Sequence, residues 1–326
     1  MGLSLSKCKK PNGGGQSQVS NFPAAKLRRE GGAVYTTVDE PNFLRPYRDP
    51  KSVKDNVDFP LDGRLLDSVS DEELVALFDR APRLHEFSTT KIVRISKSLV
   101  LKVGPNVAAS QARNMVFAAE SLRLPVPKVH RSFTASVPQS YSDESEDGHF
   151  IVMDYIAGPT VEESWYSLEQ AAREAATRQV ADMIETVQSH RLNDLPPGPI
   201  GSPTEKCRGP WFTDYCAGPF ATVQELQDWF NHKIDVCIKV FQLPANYPRF
   251  HFRDLVFTHQ DIAARNVVLD AVGKVWLVDW GCAGAYPVGF EQAALCGNRT
   301  PIVVLWRWCC RSSRIGITSW HGGRRP

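Results

Sequence analysis

Two apolar, β-prone runs, Val267–Leu269 and Val275–Val278, are separated by Asp270-Ala-Val-Gly273-Lys274, which has the composition of a turn. Together they read as a hairpin. On its entry side stand His259, Asp261 and Asn266, and on its exit side stand Asp279 and Gly281. A hairpin returns its two ends to the same rim, so Asn266 and Asp279 come within reach of one cation while Asp261 stands a few residues upstream. The bland alternative, an ordinary loop Asp and a strand-end Asp, leaves the fixed offsets of these polar residues around one hairpin unexplained.

The pattern His-x-Asp-x-x-x-x-Asn followed by Asp-x-Gly suits phosphoryl transfer. In that chemistry Asp261 orients an acceptor hydroxyl and takes its proton, and Asn266 and Asp279 hold a Mg²⁺ ion that bridges nucleotide phosphates. Lys102 lies mid-strand in the run Leu99-Val-Leu-Lys102-Val103. Taken alone, it reads as a strand-edge lysine whose stem is buried while its ammonium reaches water. Upstream of the Asp261, Asn266 and Asp279 set, a strand lysine is what neutralises nucleotide phosphates. Met153-Asp154-Tyr155-Ile156 falls where a hinge between lobes would offer backbone groups to adenine. Met153 and Tyr155 are the cofactor-binding positions there, on position alone.

With 326 residues the chain can hold two modest lobes. Its 42% hydrophobic and 23% charged content is that of a soluble globular protein, and a net charge of +2 gives no argument for nucleic-acid binding. Apolar runs are too short to span a bilayer. Eight cysteines at irregular positions carry no metal-ligand spacing and read as reduced cytosolic thiols.

Residues 1–60, rich in Gly, Ser, Pro, Asn and charge, read as a poorly ordered arm, and order is expected from Ser70, where a capping box opens a short helix ended by Pro82. Lys91–Ile95 and Leu99–Val103 read as strands around Ser96-Lys-Ser98, followed by a helix over 107–121 and a strand over Phe150–Met153. A long helix begins at Ser167-Leu-Glu-Gln170, with Val180, Met183, Ile184 and Val187 at helical spacing, and another carries Val223, Leu226, Trp229 and Phe230. Strands with one helix, then helices, then the hairpin give an α+β, two-lobed layout.

Several segments resemble the aminoglycoside phosphotransferase-like family, in particular its fungal branch of small-molecule kinases. They are Leu99-Val-Leu-Lys102-Val-Gly, Asn114-Met-Val-Phe-Ala, Leu124-Pro-Val-Pro-Lys128, Ile151-Val-Met-Asp-Tyr-Ile-Ala-Gly158, Gly218-Pro-Phe220, Phe257–Asn266 and Val278–Pro287, in family order over about 84–291. The resemblance implies a bilobal protein-kinase-like fold, with a small β-rich N-lobe, a helical C-lobe and ATP between them. It makes Asp261 the catalytic base, Asn266 and Asp279 the metal ligands and Lys102 a phosphate contact. His259 becomes a hydrogen-bonded scaffold residue. Arg265 either contacts the acceptor or pairs locally, and both readings stay open. The domains expected are a largely flexible extension (1–83), an N-lobe (84–155), a C-lobe with the catalytic hairpin (156–295) and an atypical basic tail (296–326).

The chain departs from this pattern in three places. The helix after the lysine strand usually carries a Glu partner for the lysine, and the aligned residue is Gln111, a neutral amide. No Gly-rich phosphate loop is present. Past Glu291 the family continues into helices, whereas residues 296–326 contain no Asp or Glu and show no helical periodicity. The expectation is a frameshifted or mis-spliced segment and a truncated C-lobe, with a genuine basic tail as the alternative. The functional expectation is an ATP- and Mg²⁺-dependent phosphotransferase acting on a small-molecule hydroxyl. The alternative is a catalytically impaired nucleotide-binding module. A protein kinase is disfavoured by the missing Ala-Pro-Glu and activation segment. Gly2 with Ser6 fits N-myristoylation, and Cys8 with Lys7, Lys9 and Lys10 suits a second acyl chain and anionic lipid. Cytoplasmic residence with peripheral membrane contact is therefore expected, against a disordered start that happens to fit a permissive pattern.

Overall fold

The computed structural model describes residues 26–30, 33–37, 48–54, 56–87, 90–104, 107–137, 147–212 and 216–297. Gly2, Cys8 and residues 298–326 of the basic tail lie outside the described residues. The chain forms two units, Met1–Pro46 and Tyr47–Pro326. In the first, β1 (Lys26–Glu30) and β2 (Ala33–Thr37) pair antiparallel.

The second unit opens with α1 (Asp71–Leu77), whose first turn is closed by the Ser70 hydroxyl accepting from the Glu73 N–H. A five-stranded antiparallel sheet follows: β3 (Arg83–Phe87), β4 (Thr90–Arg94), β5 (Leu99–Gly104), β6 (Val129–Ser136) and β7 (Asp147–Asp154), in the order β3-β4-β5-β7-β6. The β4–β5 hairpin turns at Ser96–Ser98, where the sequence places it. Helix α2 (Ala109–Glu120) connects β5 to β6. Then come α3 (Val161–Ser164), α4 (Gln170–Ser189) and α5 (Val223–Lys239). The short strands β8 (Leu255–Thr258), β9 (Val267–Leu269), β10 (Val275–Leu277) and β11 (Gly284–Pro287) and helix α6 (Phe290–Gly297) complete it. This is the expected α+β architecture, a sheet-rich part followed by a helical part. Among the described residues no helix is long and apolar enough to cross a membrane.

Strand alternation sorts β5 into two faces. Leu101 and Val103, with Phe150 and Val152 of β7, pack against Leu74, Leu77 and Phe78 at α1. Val100, Ile151 and Met153 face the other way, into a core shared with α2, α4 and the β8–β10 region. Val180, Met183, Ile184 and Val187 of α4 are buried in that same core, as their spacing predicts. Lys102 lies on this second face, in register with Ile92 and Ile151.

Packing starts earlier than the expected Ser70. Phe59, Leu61 and Val69 are buried against the sheet, and the segment is fastened through Arg94. This fully buried guanidinium donates to the carbonyls of Ser52, Ser96 and Lys97 and lies over the rings of Phe59 and Tyr155. A charge without water needs such a shell of acceptors, and the aromatic faces complete it.

Candidate active site

The β9–β10 hairpin is built as its sequence demands. Asp270 closes the turn, its Oδ1 accepting from Val272 N and Lys274 N and its Oδ2 from the Trp276 indole, and Gly273 adopts a positive φ of 81°. Leu277 lies opposite Val267, and the next rung is Val278 N to Asn266 O at 2.9 Å. Asn266 and Asp279 therefore end on one rim. The hairpin is seated against the chain just after β7, where Leu269 N donates to Pro159 O and a Cβ on Gly158 would stand 2.1 Å from Leu269 O. Glycine is required there by that approach.

Upstream, His259 is fully buried. Its Nδ1 accepts from Asp261 N at 3.2 Å, so Nε2 carries the proton and donates to Val278 O at 3.1 Å. Burial holds its pKa below the ordinary value, in keeping with a neutral ring. His259 thus ties the loop holding Asp261 to the strand leading to Asp279, and is the scaffold histidine expected. Asp261 is gripped on both oxygens: Oδ2 accepts from Asn266 Nδ2 at 2.9 Å and Oδ1 from Arg265 at 2.6 Å. Of the two readings of Arg265, the structure shows the local pair.

From the sheet, Lys102 Nζ reaches Asp279 Oδ1 at 2.8 Å; its side chain is 5% exposed and that of Asp279 46%. The ammonium, opposed by burial, holds the Asp279 carboxyl down to about 2. Asp279 itself sits at φ 65°, a left-handed conformation that Asp tolerates better than most residues. Gln111, the residue aligned with the expected Glu partner, is buried, and its Nε2 has no partner among the described residues. Helix α2 holds the site by another residue. Asn114 Nδ2 donates to Trp280 O and Ala283 O, and its Oδ1 accepts from Ile200 N.

At the hinge, Met153 is buried between Val100 and Val129. Tyr155 N donates to Ser98 O at 2.7 Å, so the donor that sequence position offered to adenine is already satisfied.

Three residues near this rim have no role assigned on sequence grounds. His85 on β3 is in register with Ile92, which pairs Lys102, and lies close enough for the charges of Lys102 and Asp279 to act on it. Gln260 stands at φ 64° and donates from Nε2 to Cys282 O at 2.9 Å. Glu291, completely buried at the start of α6, accepts from the backbone N–H groups of His259 and Gln260 at 2.5 and 3.0 Å. Burial pushes its carboxyl up to about 7. These bonds fix the strained loop immediately before Asp261.

Asn266 uses its amide nitrogen for Asp261, so Oδ1 is its atom that could meet a cation, and Asp279 keeps Oδ2 when Oδ1 meets Lys102. Two oxygen donors on one rim suit a hard cation that draws its remaining ligands from phosphate and water. Among the described residues no group of three or more His, Cys, Asp or Glu is placed to hold a metal ion.

Residues 82–309, more than half of the chain, match the APH phosphotransferase enzyme family. The chain belongs to that family. The match runs past residue 296, so it covers the first part of the segment read as an atypical tail. Among solved structures, this phosphotransferase is similar to aminoglycoside phosphotransferase APH(4)-Ia, at 16% identity and a TM-score of 0.42, over 74% of this chain and 80% of that one. It is also similar to APH(2'')-IIa in its streptomycin–ATP complex, at 14% identity and a TM-score of 0.39, over 69% and 75%. A third is APH(2'')-IIIa with GDP and kanamycin, at 10% identity and a TM-score of 0.42, over 70% and 75%. No curated protein matches the chain.

Proposed function

We propose that this phosphotransferase is an ATP- and Mg²⁺-dependent kinase of a small-molecule hydroxyl. The observation that carries the reading is the meeting, on one hairpin rim, of Asp261 with Asn266 and of Asp279 with Lys102. Asp261 would accept the acceptor's proton as the acceptor oxygen bonds to the γ-phosphorus. The bond from the γ-phosphorus to the β-bridging oxygen breaks, and its electron pair leaves with ADP. Asn266 and Asp279 would hold Mg²⁺, which neutralises phosphate charge when bound, and Lys102 would turn from Asp279 toward the phosphates. Such catalysis is positioning and electrostatics rather than covalent chemistry.

Because the protein supplies only two oxygens, Mg²⁺ alone should stabilise the fold little, whereas saturating Mg²⁺-ATP at about 100 times its Kd should add about 2.7 kcal/mol. Thermal-shift measurements check this. Equal shifts with and without ATP would remove Asn266 and Asp279 from the metal, and Asp279→Ala should abolish the ATP-dependent shift. ADP release with a panel of hydroxyl compounds then separates a working kinase from a nucleotide-binding module that does not turn over.

Gln111 is what supports the second, non-catalytic reading, since an amide cannot draw Lys102 by charge. Gln111→Glu should give Lys102 a competing partner and release Asp279 toward the cation. Tighter Mg²⁺-ATP binding is expected, by at most about 1–2 kcal/mol because the new carboxylate is itself desolvated. Calorimetric titration with Mg²⁺-ATP measures it. Unchanged or weaker binding would mean that the Lys102–Asp279 pair persists.

A further inference from the structure

Arg265 gives this site a character that a kinase of polycations would not have. It sits in a single 3-10 turn, Ala264–Asn266, between two buried neighbours, so its backbone is fixed and only its side chain can respond to a ligand. The guanidinium binds Asp261 Oδ1, with 46% of the Arg265 side chain and 26% of the Asp261 side chain exposed. The pair thus lies at the open side of the site, while Asn266 holds the inner oxygen. The charge of Arg208 reaches the Cys282 thiol, as do those of Asp261 and Asp279. Every carboxylate between residues 255 and 290 is also engaged. Asp261 meets Arg265 and Asn266, Asp270 closes its turn on both oxygens, and Asp279 meets Lys102. An acceptor bearing several ammonium groups would find a guanidinium at the rim, the Asp261 and Asp270 carboxylates engaged, and only the Asp279 oxygen assigned above to Mg²⁺ still open among these three.

We propose that Arg265 is an acceptor-binding residue and that the acceptor carries an oxyanion, a carboxylate or a phosphate, next to the hydroxyl that is phosphorylated. The inference rests on the kinase reading above. Guanidinium matches either oxyanion through two parallel N–H donors. In drawing Arg265 away, the acceptor's oxyanion uncovers Asp261 Oδ1, the oxygen that would take the hydroxyl proton. Binding of the right acceptor and freeing of the base become one event.

The test measures ADP release with Mg²⁺-ATP and glycerate, glycerol 3-phosphate, glycerol or kanamycin, in wild type and Arg265→Gln. Turnover is expected with one or both anionic acceptors, the pair separating carboxylate from phosphate recognition. In Arg265→Gln the KM for that acceptor should rise roughly 10- to 100-fold while the KM for ATP stays within about twofold. Turnover confined to glycerol or kanamycin, or an unchanged acceptor KM in the variant, overturns the proposal. Where none of the four is turned over, thermal shifts by the same compounds with Mg²⁺-ADP bound decide it. A shift by an anion in wild type that disappears in Arg265→Gln supports the proposal; equal shifts in both proteins, or none in either, overturn it. Mg²⁺-ATP binding is measured alongside, because its absence would sink the kinase reading itself, whereas its presence with indifference to anions sinks only the role of Arg265.

Discussion

Asp261→Ala is expected to lower turnover by roughly 10²–10⁴-fold, the usual contribution of a positioned general base, while leaving Mg²⁺-ATP binding nearly intact. The reason lies in how the carboxylate is held. Asp261 bonds to Asn266 and Arg265 and has no contact with Lys102 or Asp279 in the hydrogen-bond pattern of the site. Its loss removes one anchor of the Asn266 amide, but the second, from Asn266 Nδ2 to Asp261 O, survives because it belongs to the backbone. Asn266 should therefore stay in place and nucleotide affinity with it. ADP release and a Mg²⁺-ATP thermal shift on the same preparation separate the two effects. A variant that no longer binds Mg²⁺-ATP would show Asp261 to be a metal ligand or a structural residue.

Glu291→Ala should cost roughly 10²-fold in turnover although Glu291 is completely buried, a penalty typical of displacing a catalytic group by about 1 Å. The carboxylate is the shared acceptor for two successive backbone N–H groups, and without it Gln260 can relax from φ 64° and carry Asp261 with it. Glu291→Gln keeps a carbonyl acceptor and should recover most of the activity. The two variants also differ from wild type in their pH dependence. The unfolded chain loses the Glu291 proton near the ordinary 4.5, whereas the folded protein keeps it to about 7. Between those values unfolding releases a proton, so this group makes stability fall as pH rises, and above 7 the loss is complete, on the order of 3 kcal/mol. In Glu291→Gln that slope should vanish. Denaturant midpoints between pH 4.5 and 8 measure it, and an unchanged slope in the variant would assign the titration to another group.

The hairpin and its polar residues were legible because their information is local: two β-prone runs, a turn between them, and offsets counted from its ends. The buried stripe of α4 was legible for the same reason. Strand β6 carried an alternating signal, with Val129, Arg131, Phe133 and Ala135 turned inward, that the sequence reading does not use. Strands β8 and β11 could not be seen that way. Each is four residues long and buried throughout, so neither has a period to read, and they find each other across an intervening hairpin. Glu291 was illegible because its role is set by the approach of α6 to the backbone of residues 259 and 260; its one trace is a lone carboxylate opening the apolar run Phe290–Leu295. The partner of Lys102 was illegible for a similar reason: family habit points to position 111, and the fold places Asp279 nearer.

Arg94 decides how far the molecule can be trimmed. Its guanidinium uses the Ser52 carbonyl on one side and the Tyr155 ring on the other, so the segment ahead of α1 acts as a strap from the back of the sheet to the hinge. A protease entering between Arg48 and Ser70 would release Phe59 and Leu61 from the core, strip a buried cation of an acceptor, and loosen the turn between the sheet and the catalytic hairpin. The shortest form of this protein that keeps its active site begins ahead of Ser52, well before the first helix.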